Sequence, residues 1–244
     1  MNGAERTGVS GKPGLFGAAL AGGIAGSLLT AILLFAALPG VLGSKIVRAG
    51  LLADPNILVD ASEALRDAQY APVLDANRAA IETPFASSWK GASKPEVTLV
   101  EFFDYACPYC KASNPAVDKL LAEDKGLRVV YRELPILGPD SLDAARLSLE
   151  ASKLGRFAQF HDTLWATGRP APDTNAKAAA AAGIPPQPVS DPAIENELNG
   201  NMKLAGQLGA TGTPLFVIGD RVMNGAVGYD MLKAAIDKAR AKKA

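Results

Sequence analysis

The chain has 244 residues, with 25 Lys+Arg balanced by 25 Asp+Glu. Zero net charge excludes a general electrostatic affinity for nucleic acid or acidic lipid, and 48% hydrophobic content excludes global disorder. Two cysteines and one histidine are too few for a Cys/His zinc framework or a disulfide-stapled scaffold.

A short tail, residues 1–12, precedes a stretch from Pro13 to Ser44 that carries no charged residue. Within it Leu15 to Leu42 is almost wholly apolar and would run about 42 Å as a helix, against a bilayer core of about 30 Å. Segment 13–44 therefore reads as a single membrane-spanning anchor, with residues 15–42 in the lipid bilayer. The alternative is a cleaved signal peptide, because small residues around Gly40–Ser44 suit a peptidase. Either reading carries the rest across a membrane. Arg6 and Lys12 before the span and Lys45 and Arg48 after it leave its orientation open.

Residues 45–92 read as a polar, Ala-rich helical extension and linker. Asp54-Pro55 is a helix opening, and Ile57, Leu58, Ala61, Ala64, Leu65 and Ala68 follow at helical spacing. A second short helix is expected from Pro72 to Ile81. Its apolar face is thin, so it needs a covering partner, either the main domain or a second copy of the chain. Ser87 to Pro95 reads as a linker.

The main domain is expected over 93–244. Val97–Phe103 has β-branched and aromatic residues on both faces, the mark of a central buried strand. A helix to about Glu123 and a second strand, Leu127 to Leu134, follow. Helical stretches fill Asp140 to Asn199, the first capped by Asp140 or Ser141. Leu215–Ile218, a Gly219-Asp220 turn and Val222-Met223 signal a hairpin, and Tyr229 to about Ala241 a last helix. The order is β-α-β, a helical block, then β-β-α, an α/β class.

Both cysteines fall in one run, Cys107-Pro108-Tyr109-Cys110, between strand and helix. On the first helical turn this spacing brings the sulfurs to one side. Cys107 then lies at the helix amino terminus, where free N–H groups and the macrodipole favour a thiolate, the nucleophile of disulfide exchange. Pro108 suits a first turn because it has no N–H. Cys110 lies one step inside the helix as the resolving thiol. Two buried structural cysteines, or a two-coordinate Cu(I) site, are the competing readings. His161 reads as a packed helix residue, and Phe157, Phe160 and Trp165 as core.

The segment FFDYACPYCK together with TGTPLFVIG resembles the DsbA-like branch of the thioredoxin-fold thiol–disulfide oxidoreductases, over about residues 95–244. A weaker resemblance, to the suppressor-of-copper-sensitivity subgroup, extends into 45–92. CPYC is also the glutaredoxin motif. The long separation of Cys110 from Pro214, which leaves room for the helical block, favours the DsbA-like branch. The resemblance implies a thioredoxin fold with an inserted helical block. It implies that Pro214 is a cis-proline beside the dithiol, with Thr213 offering its backbone to an extended substrate. Pro108 and Tyr109 join them as substrate-binding candidates. Glu101 is implied as a buried acid that moves the proton of Cys110, and Pro115 as a helix kink.

The function expected is thiol–disulfide exchange on cysteines of exported proteins, forming or isomerising disulfides. Cys107, Cys110 and Glu101 are the catalytic residues, and Cys107 and Cys110 form the redox-active disulfide. No cofactor and no metal are called for. A membrane redox partner would reset the dithiol, and residues 45–92 could support a homo-oligomer; nucleic acid is no partner. The expected place is the periplasm, anchored to the inner membrane, with residues 45–244 outside. The alternative is a periplasmic copper-handling module that uses the same thiols without catalysis.

Overall fold

The computed structural model describes residues 43–242. The expected membrane span at 15–42 lies outside the described residues. Among the described residues no helix is long and apolar enough to cross a membrane. Among the described residues, 43–62 and 63–242 fall into two compact units.

Residues 43–53 are helical and are termed α1. Asp54 then accepts a hydrogen bond from the Asn56 N–H at 3.1 Å and opens α2, Asn56–Glu82, the start that Asp54-Pro55 announces. The two helices expected in this region are thus one: α2 runs through Pro72 without a break. An interior proline costs about 3 kcal/mol. Burial outweighs that cost, since Leu74 and Ile81 beyond it are each 1% exposed. The thin apolar face expected over 72–81 is covered by the main domain.

The sheet has five strands in the order β1-β3-β2-β4-β5. They are β1 Trp89–Gly91, β2 Val97–Phe103, β3 Leu127–Glu133, β4 Leu215–Ile218 and β5 Arg221–Asn224. β2 runs parallel to β3 and antiparallel to β4; the outer pairs are antiparallel. β1 lies inside the segment read as a linker. Its Ser, Gly and Pro content looks like a connector, and only long-range pairing with β3 makes it a strand. Gly91 is needed there, because its φ is +96° and a Cβ would fall 2.3 Å from the Leu127 carbonyl oxygen.

Every residue of β2 is buried, as its two-sided apolar pattern predicts. Strand alternation divides the core. Val97, Leu99 and Phe103 face α3 (Pro108–Glu123), α8 (Tyr229–Ala241) and the helices α5 (Phe157–Thr167) and α6 (Pro172–Ala182). Val100 and Phe102 face Leu74 and Ile81 of α2 and Leu204 and Ala205 of α7 (Pro192–Gln207). The helical block, α4 (Pro139–Lys153) to α7, lies in sequence between β3 and β4. α4 begins at Pro139 after Gly138, earlier than an Asp140 or Ser141 cap would place it. The Ser141 hydroxyl instead donates to Asp104.

Candidate active site

β2 ends at Phe103 and α3 begins at Pro108, so the four residues between them form the turn that delivers the dithiol. Cys107 occupies the N-cap position of α3 in an extended conformation, with Pro108 at the first helical position. Its N–H donates to the Asp104 carbonyl at 2.9 Å. Both cysteines are free thiols; Cys107 is 4% exposed and Cys110 is fully buried. Tyr109, between them, is 65% exposed.

Thr213 and Pro214 come from the turn before β4, more than a hundred positions later in the chain, and are joined by a cis peptide bond. The antiparallel pairing of β4 with β2 carries that turn to the dithiol end of the sheet. The Cys107 thiol donates to the Thr213 carbonyl at 3.2 Å. The resemblance implied this neighbour, and the tertiary structure brings the two together.

Glu101 lies on β2 on the face shared with Leu99 and Phe103, 1% exposed. Neither of its carboxyl oxygens has a hydrogen-bond partner among the described residues. Burial pushes its pKa up to about 8; Asp118 adds to the rise and Lys90 offsets part of it. Burial likewise drives the Cys110 thiol far up, and the charge of Glu101 pushes the same way. Asp118 and Lys90 both line a cavity of about 340 Å³, together with His161 and Trp165. The charges that act on Glu101 therefore border a space that reaches the surface.

His161 is packed as expected. It is 3% exposed, its Nδ1 lies 3.0 Å from the Tyr105 hydroxyl, and its ring centroid is 4.6 Å from that of Tyr131. Burial holds its pKa well below the ordinary imidazole value. Phe157 and Phe160 are core, and Trp165 packs against that core while bordering the cavity.

Three groups near the site lie outside the residues read as functional. Lys90 is on β1, within the supposed linker. Tyr105, two positions before Cys107, bonds Ser148 and His161. Asp104 is a buried carboxyl at the root of the dithiol turn. The only local signal for Asp104 was an acidic residue at the end of an apolar strand. Among the described residues no group of three or more His, Cys, Asp or Glu is arranged to hold a metal ion. A larger cavity, about 530 Å³, lies between α2, the β4–β5 turn and α8, and shares no lining residue with the dithiol site.

A dithiol at a strand–helix junction, facing a cis-proline turn on a mixed sheet with inserted helices, defines a thioredoxin-like α/β domain. Residues 98–237 match the DSBA-like thioredoxin domain family, and the chain belongs to that family. A thioredoxin-like oxidoreductase from Silicibacter pomeroyi DSS-3 is 35% identical, with a TM-score of 0.62 over 68% of this chain and 98% of that one. The catalytic domain of Proteus mirabilis ScsC is 29% identical, with a TM-score of 0.64 over 70% of this chain and 98% of that one. A Na(+)/H(+) antiporter, NhaA 3 of Salinispora tropica, is 38% identical over 79 residues. That match spans 32% of this chain and only 12% of the antiporter.

Proposed function

We propose that this chain is an exported, membrane-anchored thiol–disulfide oxidoreductase that forms or rearranges disulfides in exported polypeptides. The observation that carries this reading is the placement of two free thiols, Cys107 at the amino terminus of α3 against the Thr213 carbonyl and Cys110 sealed behind it. Family membership supports the chemistry. The charge-free Pro13–Ser44 segment supports export and the anchor.

In the oxidising direction a substrate thiolate attacks Cys107 Sγ of the Cys107–Cys110 disulfide. The S–S bond breaks, and Cys110 leaves with the electron pair. It takes a proton from Glu101, which is neutral near pH 7 because its pKa lies at about 8. A second substrate thiolate then attacks its partner sulfur in the mixed disulfide, and Cys107 departs. The substrate loses two electrons and the dithiol gains them. A membrane redox partner must remove those electrons to restore the disulfide. In the reverse direction ionised Glu101 accepts the proton of Cys110. In isomerisation the Cys107 thiolate attacks a substrate disulfide and frees one substrate thiolate; a substrate thiolate then attacks its partner sulfur in the mixed disulfide, forming a new substrate disulfide and expelling Cys107, with no net electron transfer. Thr213 offers its backbone to an extended substrate, while Pro108 and Tyr109 border the sulfur.

The test is catalytic turnover in insulin reduction and in refolding of a scrambled disulfide protein. Cys107→Ser abolishes both. Cys110→Ser accumulates a mixed disulfide with substrate, visible as a higher-mass species without reductant. Tight stoichiometric Cu(I) binding with no turnover in the unmodified chain would overturn this reading.

A further inference from the structure

Asp104 lies three positions before Cys107 and is 1% exposed. A carboxylate offers two oxygens with about four acceptor sites. Here all four are used, and every donor is neutral. Oδ1 accepts from the Ala106 N–H at 2.7 Å and from the Ser141 hydroxyl. Oδ2 accepts from the N–H groups of Ile136 at 2.8 Å and Leu137 at 2.9 Å. One oxygen thus holds the dithiol turn and the start of α4, and the other holds the loop that leaves β3. Ile136 and Leu137 keep their side chains 43% and 42% exposed, so the bonds fix their backbone and leave the apolar groups facing outward.

We propose that Asp104 is a positioning residue of the exchange reaction. Its carboxyl fastens the apolar Ile136–Leu137 edge to the turn that carries Cys107, and so sets the preference for polypeptide cysteines with apolar neighbours over small polar thiols. The inference rests on the oxidoreductase reading above. A polypeptide that brings sulfur to Cys107 must also lay its flanking residues beside the turn. A fixed apolar edge there lowers the entropy lost on contact. Glutathione presents no such flank and gains nothing from it.

Leucine is the informative substitution because it keeps the bulk and carries no acceptor. In Asp104→Leu the Ile136 and Leu137 N–H groups lose both bonds, and the loop is released. The expected result is a drop of about tenfold, near 1.4 kcal/mol, in the ratio of kcat/KM for an apolar-flanked cysteine peptide to that for glutathione. The drop arises in KM for the peptide. Amide hydrogen exchange at Ile136 and Leu137 speeds up in the same variant. The double variant Ile136→Ala, Leu137→Ala keeps the carboxyl and its bonds, and should reproduce the peptide-selective loss even where Asp104→Leu folds poorly. Equal losses with both thiols, an unchanged peptide KM in the double alanine variant, or unchanged protection of the two amides would each overturn the proposal. Absence of exchange with either thiol in the unmodified chain would instead sink the oxidoreductase reading, while amide exchange would still test the latch.

Discussion

Glu101 is buried on β2, without a hydrogen bond to either oxygen among the described residues. In water such a group ionises near pH 4.3; here burial moves that point to about 8. Between those values the folded chain holds a proton that the unfolded chain has released. Stability from this group is therefore complete at low pH and falls by about 1.4 kcal/mol per pH unit as pH rises toward 8. Glu133 is also buried and raised, largely by desolvation, and acts with the same sign. His161 acts oppositely, since its depressed pKa makes the fold lose stability as pH falls below about 6.5. The window from pH 6.5 to 8 thus isolates the carboxyls. Thermal unfolding there should show a declining midpoint for the unmodified chain. Glu101→Gln should remove one proton's share of that slope, leaving the share of Glu133. An unchanged slope would show that Glu101 is ionised in the folded state. Glu101 was legible from sequence, because strand alternation puts it on the face of Leu99 and Phe103 and the resemblance implied a buried acid there. Asp104 was not, because its partners sit at 136, 137 and 141, on a loop and helix that no local pattern ties to it.

At the scale of elements, α2 shows how packing overrides local preference. The end of that helix leaves carbonyls without intrahelical donors, and a buried arginine supplies them. Arg132 of β3 is 4% exposed and donates to the carbonyls of Ile81 at 3.0 Å, Thr83 at 2.5 Å and Ala80. It also binds Glu197 at 2.7 Å and Asn201 at 3.0 Å on α7. One cation therefore ties α2, β3 and α7 together, at the negative end of the α2 dipole. Replacing it with methionine keeps the bulk but strands these acceptors. The expected cost is about 3–5 kcal/mol, read as a lower urea midpoint with an unchanged slope. A shift below about 1 kcal/mol would show that the acceptors find other donors. The element also explains two differences from the sequence reading. Pro72 looked like a helix boundary, and residues 87–95 like a linker, because both judgements used local composition. The sheet supplies what composition lacks: an apolar surface for Leu74 and Ile81, and a strand edge for Trp89–Gly91.

At the scale of the whole molecule the open matter is assembly. Among residues 43–62, Ile46, Val47, Leu52, Ile57, Leu58 and Val59 are all between 47% and 69% exposed. Apolar side chains in such number favour a covering partner. The sequence reading places a homo-oligomer contact within residues 45–92, and we propose this exposed stretch as the part of it that would make the contact. Residues 63–92 are a poorer place for it, since Leu74, Ile81 and the β1 strand belong to the core and sheet of the main unit. A deletion meant to test assembly should therefore end near Ser62, since removal through residue 92 would strip a strand and two core side chains. Sedimentation of residues 43–244 should show a concentration-dependent larger species, and residues 63–244 a monomer. Identical monomers in both would remove the oligomer.

What the amino-acid sequence determined by itself was the segment from Val97 to about Glu123: a two-sided apolar strand, a dithiol, a proline at the first helical position and a helix. All of that is local chemistry, written in neighbouring residues whose spacing sets their geometry. The tertiary structure decided which distant groups surround the dithiol, of which the resemblance had implied Thr213 and Pro214 alone. It brought the Thr213 carbonyl to Cys107, Lys90 from a supposed linker to the charges around Glu101, and the loop at 136–137 to Asp104. Those meetings depend on strand order and register, and period and composition along one stretch of chain carry no information about which other stretch will pair with it.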